Sequence, residues 1–499
     1  MSAVPPPHDP ARFSLAAHVL AKAAAQPDKI ALQILRLNGA ERWSYGRLEA
    51  AVRGVATGFR QAGLCPGDRV LMRLGNTVEF PLCFLGAIAA GVVPVPTSAQ
   101  LTAPEVTRIA GIVAPAAVVA AGGVPLPDGD FRVIPDSDLR AWESLPPAGW
   151  HLGDAGRMAY AVCTSGTSGQ PRAVAHAHRA ILARAMMHQG WYGLTGADRL
   201  LHSGAFNWTY TLGTGLLDPW TVGATALIPA TGIEPAQLPL LMKRFDATIF
   251  ASSPGIYRII LKDGARIALP RLRHGLSAGE SLSPGLRARW EAATGTPVHE
   301  AFGMTECSTF VSGSPSRPAP QGAIGYPQPG RRIAVLANGT PAPAGEPGEL
   351  AIHRSDPGLF LGYIGAEEET KSRFLDDWFL TGDSVSEDAD GAVRYLGRVD
   401  DMMNAGGYRV SPIEVEAAMA GHPGAGEVAA TELRVKEDVT VIGLFYTGAA
   451  RPEDLAAHAA ACLARYKQPR IFQPVATLPL TATGKVNRRV LRQEWKPTS

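Results

Sequence analysis

Helical and strand-like hydrophobic patterns take turns along the chain. Tyr45–Ala62 and Phe80–Ala90 carry helical patterns, and so does Leu15–Ala25, with Ser14 placed to cap its start. Short Val, Ile and Leu runs at Lys29–Gln33, Arg69–Leu74 and Val92–Val95 predict strands between them. Such alternation argues for α/β layers with largely parallel sheets. A further apolar run, Met158–Cys163, predicts a buried strand, and helix-forming residues follow from about His178 to Met187.

Between that strand and that helix lies Thr164-Ser165-Gly166-Thr167-Ser168-Gly169-Gln170-Pro171-Arg172. Its glycines let backbone N–H groups approach a ligand closely, and its hydroxyls add donors, so it suits an anion such as a phosphate. Taken alone, a flexible surface loop explains the composition equally well. An ordinary P-loop is ruled out: Gly169 is followed by Gln170, and Gly484-Lys485 is followed by Val486 where that motif needs Ser or Thr.

A length of 499 residues exceeds one ordinary core and points to two or more domains. With 46% hydrophobic and 18% charged residues the balance is globular, and a net charge of +2 argues against nucleic acid or anionic membrane as a bulk partner. Cys65, Cys83, Cys163, Cys307 and Cys462 are odd in number and contain no C-x-x-C pair, which speaks against a disulfide framework or zinc site and fits a reducing compartment. The first residues show no signal peptide, and the most apolar stretch, Phe80–Pro94, is too short and too broken to span a bilayer. A cytoplasmic protein is the expectation. Gly397-Arg-Val-Asp-Asp401 precedes a fresh strand–helix unit near Met402, which predicts domains at 1–399 and 400–499.

Five more stretches carry unusual local chemistry: Ser277-Ala-Gly279-Glu280, Phe302-Gly-Met-Thr305-Glu306, Thr381-Gly-Asp383 at the close of a Trp-Phe-Leu strand, Arg398 with Asp400, and Thr483-Gly-Lys485. In this order and spacing they closely resemble the core motifs of the adenylate-forming superfamily, in its acyl-CoA synthetase and benzoate-CoA ligase-like branch. The resemblance runs from Leu101-Thr-Ala-Pro-Glu-Val to Lys485-Val-Asn-Arg-Arg-Val-Leu. It implies an α/β fold, with two βα sheets and a distorted β-barrel in a large N-terminal domain, and a small mobile C-terminal domain. It also implies attack of a carboxylate on the α-phosphate of Mg-ATP to give acyl-AMP and pyrophosphate, and then transfer of the acyl group to a thiol.

The roles that follow are implied by the resemblance. Thr164, Ser165, Gly166, Thr167, Ser168 and Gly169 would wrap the β- and γ-phosphates. Arg172 stands where the family often has lysine and keeps the charge; Ala173 stands where it often has glycine. Thr305 would bond the α-phosphate and Glu306 would hold Mg2+. Phe302 would lie against the adenine, opposite Gly279 and Glu280. Asp383 would accept the ribose hydroxyls, Arg398 would approach the ribose and phosphate, and Asp400 would be the hinge. Lys485 would bridge the two anions during adenylation. Its setting also resembles that of bacterial CoA ligases acetylated at this lysine, which would make an acetyltransferase and a deacetylase partners. His176 and His178, two residues apart with no third ligand nearby, read as structural.

The acyl pocket would take Asn207, Trp208 and Tyr210, with packing of the core the equal alternative for Tyr210. Asn207 stands where amino-acid-activating relatives place an aspartate, which disfavours an amino acid. No basic residue lies in Phe206–Leu212 to receive a second carboxylate. An aromatic, alicyclic or compact hydrophobic acid is the expectation. Gly406 and Gly407 would border a pantetheine tunnel, so free CoA is the expected acceptor. A stand-alone module that loads a carrier protein is the alternative, because Leu433–Ile442 runs through where the family carries an insertion. Monomer and homodimer both remain open.

Overall fold

The helix Tyr45–Gln61 forms because Leu48, Val52, Val55 and Phe59 recur on one face, and Ser44 caps it by accepting from the Arg47 amide at 3.3 Å. That face is buried against the wholly buried helix Glu79–Ala90. These elements belong to a computed structural model that describes residues 10–164, 171–405, 408–436, 439–463, 465, 467–481 and 485–496.

The chain divides into two units, Met1–Ile333 with His353–Asp377, and Ala334–Ile352 with Trp378–Ser499. In the first, six parallel strands form the centre of a nine-stranded sheet: Val298–Met304, His274–Ala278, Ile249–Ser252, Arg199–His202, Thr225–Pro229 and Ile30–Arg36, in that order. Antiparallel strands close both edges. A second sheet of four parallel strands runs Val93–Pro96, Arg69–Arg73, Ala117–Ala120, Val133–Pro135. The α/β class and the two parallel sheets thus match the pattern of apolar runs. Buried aromatics keep their polar ends satisfied: Tyr45 donates to the Ala224 carbonyl at 2.6 Å and Trp220 to that of Ala31 at 2.8 Å.

In the second unit a curled half-barrel sheet carries Pro347–His353, Trp378–Glu387 and Val393–Arg398. After it come a two-stranded ribbon (Met403–Ala405 with Tyr408–Val410), the helix Pro412–Met419, and a three-stranded sheet closed by Ile471–Pro474. Among the described residues no helix is long and apolar enough to cross a membrane.

Three local expectations are corrected. The first helix is only Leu15–Val19, and Ser14, 2% exposed, makes no capping bond. The stretch after Thr164 leads into a strand, Arg172–Ala177, antiparallel to Met158–Thr164; the helix follows at Ala180–Ala185. Alanine-rich Arg172–Ala177 has weak strand propensity, and pairing with its neighbour decides its conformation. Thr381-Gly-Asp383 lies inside the ten-residue strand Trp378–Glu387 and does not close one. In the second unit the strands Ala425–Lys436 and Val439–Gly448 pair antiparallel, with Lys436 opposite Val439.

Candidate active site

In the first unit the carboxylate of Glu306 sits at the tip of a hairpin. Val298–Met304 and Ser308–Ser312 pair antiparallel with a bulge after Phe302, and Thr305–Cys307 make the turn. Ser308 leaves that turn at φ +59°, a conformation few non-glycine residues hold. Glu306 therefore starts no helix. Its Oε1 accepts from the Tyr363 hydroxyl at 2.7 Å and its backbone carbonyl accepts from the Phe360 amide at 2.8 Å. Among the described residues Oε2 has no hydrogen-bond partner. A lone carboxylate with one oxygen open suits Mg2+, which keeps most of its shell for water and phosphate oxygens.

Arg172 opens its strand opposite Thr164, pairs with Glu369 and lies 5.4 Å over the ring of Tyr363. Tyr363 therefore touches both the expected phosphate cation and the expected metal carboxylate. No local motif reveals this, because the segment that bears Tyr363 lies 57 residues beyond Glu306. Phe302 meets Phe310 edge-on at 5.6 Å. Ser165 to Gly169 lie outside the described residues.

Gly279 ends the strand His274–Ala278 at φ +92°, where a Cβ would fall 2.7 Å from Trp208 Cζ2. Only glycine fits there. Trp208 is 36% exposed and stands edge-on to Tyr210 at 5.2 Å. Tyr210 is buried and donates to the Leu276 carbonyl at 3.2 Å, so it packs the core. Asn207 is half-buried beside them, and Glu280 pairs loosely with Arg258 at 3.8 Å.

Thr305 and Ser308 line a small pocket with Tyr160, His176, Arg184 and Thr209. Arg184 is a cation that the local stretch Phe206–Leu212 did not reveal. It binds Asp218 through Nε (2.9 Å) and Nη2 (2.5 Å) and donates to Ser308 Oγ. Asp218 also accepts from Tyr192 at 2.7 Å, and its pKa is held low against burial by Arg184 and His188. The pair is neutral overall.

His176 stacks on Tyr160 at 4.9 Å, and His178 Nδ1 accepts from the Leu15 amide at 3.0 Å, so both serve the fold. Burial lowers the pKa of His176, His274 and His299 to about 4 and of His178 and His202 to about 3, and neighbouring arginine charges act in the same direction. Each unfolded histidine binds a proton below pH 6.5 that its folded form refuses. Stability is thus complete above about pH 6.5 and is lost as pH falls toward 4, by about 1.4 kcal/mol per pH unit for each histidine. Urea midpoints at pH 7.0 and pH 5.0 test this, and equal midpoints would contradict it.

In the second unit Asp383 Oδ1 accepts from Tyr395 at 3.0 Å and Oδ2 from Arg398 at 3.4 Å. The strands Trp378–Glu387 and Val393–Arg398 place Asp383 directly opposite Arg398. Gly382 holds φ +76°, a conformation that favours glycine, and a Cβ there would meet Arg398 Nη2 at 2.5 Å. Burial raises the Asp383 pKa, and the charges of Arg398 and Lys485, with the Tyr395 hydroxyl, oppose that rise. Lys485 is exposed, and its carbonyl accepts from the Thr481 amide at 2.7 Å. Asp400 falls in the short turn Val399–Asp401; its side chain, and Gly406 and Gly407, lie outside the described residues.

The AMP-binding enzyme family matches residues 19–364, and the AMP-binding enzyme C-terminal domain matches 414–485. The chain belongs to this family, and it is an enzyme of the AMP-forming acid–thiol ligase class. It is similar to the 3-hydroxybenzoate–CoA ligase of Aromatoleum sp. (strain CIB), 29% identical over 92% of this chain and 93% of the relative. It is also similar to the mitochondrial acyl-coenzyme A synthetase ACSM3 of Pongo abelii, 27% identical over 95% of this chain and 87% of the relative. The crystal structure of the anthranilate CoA ligase AuaEII with anthranoyl-AMP superposes with a TM-score of 0.87 at 25% identity, over 99% of this chain and 98% of that one.

Proposed function

We propose that the chain is an ATP-dependent carboxylate–CoA ligase that forms acyl-AMP and then acyl-CoA, releasing AMP and pyrophosphate, on an aromatic, alicyclic or compact hydrophobic acid. The observation that carries the choice of acid is the indole of Trp208 standing against Gly279, a flat, partly exposed apolar wall. The neutral Arg184–Asp218 pair beneath Thr305 supports an acid with no second carboxylate. The ring-bearing acids named for two of the similar proteins agree with it.

In this reading Thr164, Ser165 to Gly169 and Arg172 hold the β- and γ-phosphates, and Thr305 bonds the α-phosphate. Phe302, Gly279 and Glu280 enclose the adenine, Asp383 and Arg398 hold the ribose, and Asn207 faces the acid. Glu306 would hold Mg2+, which supplies charge to offset the phosphates. Lys485 lowers the cost of bringing carboxylate and phosphate together, Asp400 is the hinge, and Gly406 and Gly407 border the thiol's path. Acetylation of exposed Lys485 would remove its charge and stop adenylation.

The test is AMP and pyrophosphate release across benzoates, alicyclic acids and short and medium fatty acids, with and without CoA. Turnover with CoA on one ring-bearing class is the expected result. Acyl-AMP that accumulates and ignores CoA would instead mark a carrier-loading module, and turnover confined to fatty acids would overturn the acid class.

A further inference from the structure

Resting on the reading of Glu306 as the Mg2+ carboxylate, we infer that Tyr363 is a positioning residue whose hydroxyl aims that carboxylate. Its O–H donates to Oε1 at 2.7 Å, which fixes the plane of the carboxylate and leaves Oε2 as the open oxygen. A hydrogen bond to a charged acceptor is among the stronger ones a side chain makes.

The strap that carries Tyr363 is itself held in place. Gly362 and Tyr363 pair with Ala175 and Val174, on the strand that begins at Arg172. At the other end Asp356 and Arg331, both fully buried, form an ion pair at 3.0 Å. Arg331 then donates to the carbonyls of Cys307 (3.2 Å) and Thr309 (2.7 Å), just beyond Glu306. Asp356 in turn accepts from the Gly358 and Arg332 amides, each at 2.8 Å. The hairpin tip and the strap therefore share one buried ion pair, and the distance from hydroxyl to carboxylate is set by the fold on both sides.

Tyr363→Phe isolates the hydroxyl, because the ring that lies under Arg172 and against Phe360 at 4.9 Å is kept. With a non-hydrolysable ATP analogue bound, Mn2+ titrated as a paramagnetic probe should bind Tyr363→Phe roughly tenfold more weakly than the parent chain. The Mg2+ concentration for half-maximal pyrophosphate release should rise by a similar factor, with kcat at saturating Mg2+ within about twofold. Unchanged Mn2+ affinity in Tyr363→Phe, alongside loss of affinity in Glu306→Gln, overturns the positioning role and leaves Glu306 in place. Unchanged affinity in Glu306→Gln overturns the reading of Glu306 and the inference with it. A melting temperature lower by more than about 5 °C in Tyr363→Phe would assign the hydroxyl to stability and also overturn the inference.

Discussion

Lys485→Ala is expected to reduce acyl-AMP formation by about 100- to 1,000-fold and to spare thiolysis of a supplied acyl-AMP. The reason is electrostatic. A carboxylate attacking a phosphate must bring two anions together, and one cation placed between them removes most of that cost. Lys485 is exposed, yet its charge is felt at buried Asp383, where it favours the ionised form. Thiolysis begins from a neutral acyl carbonyl and needs no such bridge. Pyrophosphate exchange and single-turnover thiolysis, measured on the same preparation, separate the two halves. Equal loss of both would remove Lys485 from its role.

Arg184→Met should destabilise the first unit by about 3–5 kcal/mol, because it strands Asp218 as a buried, unpaired carboxylate. Side-chain exposures of 6% and 0% leave no water to take the guanidinium's place. The double variant Arg184→Met, Asp218→Leu should recover much of the loss, since the penalty belongs to the orphaned charge and not to the absent attraction. Urea unfolding of both variants checks this. A single variant within about 1 kcal/mol of the parent would show that the pair is solvated after all.

These two residues also show where a sequence can be read and where it cannot. Lys485 announces itself through its neighbours Thr483 and Gly484, and the helix Tyr45–Gln61 through its repeating apolar face. Arg184 and Asp218 lie 34 residues apart, and Arg331 and Asp356 lie 25 apart. Neither pair leaves a periodicity, because an ion pair needs only one position on each element. The strand Arg172–Ala177 was hidden for a related reason. Its conformation comes from the partner Met158–Thr164, and its own alanines are indifferent to it. Tyr363 stayed unread because only tertiary folding brings its hydroxyl to Glu306.

Trp208 and Gly279 form an unequal pair for divergence. A larger side chain at 279 would have to displace an indole 2.7 Å away and still hold φ +92°, so that position has little freedom to drift. Position 208 carries no such backbone demand, and its exchange for a smaller residue opens space in one mutational step. If Trp208 walls the acid pocket as proposed, a descendant that came to accept bulkier acids would reach them through Trp208, with Gly279 inherited unchanged.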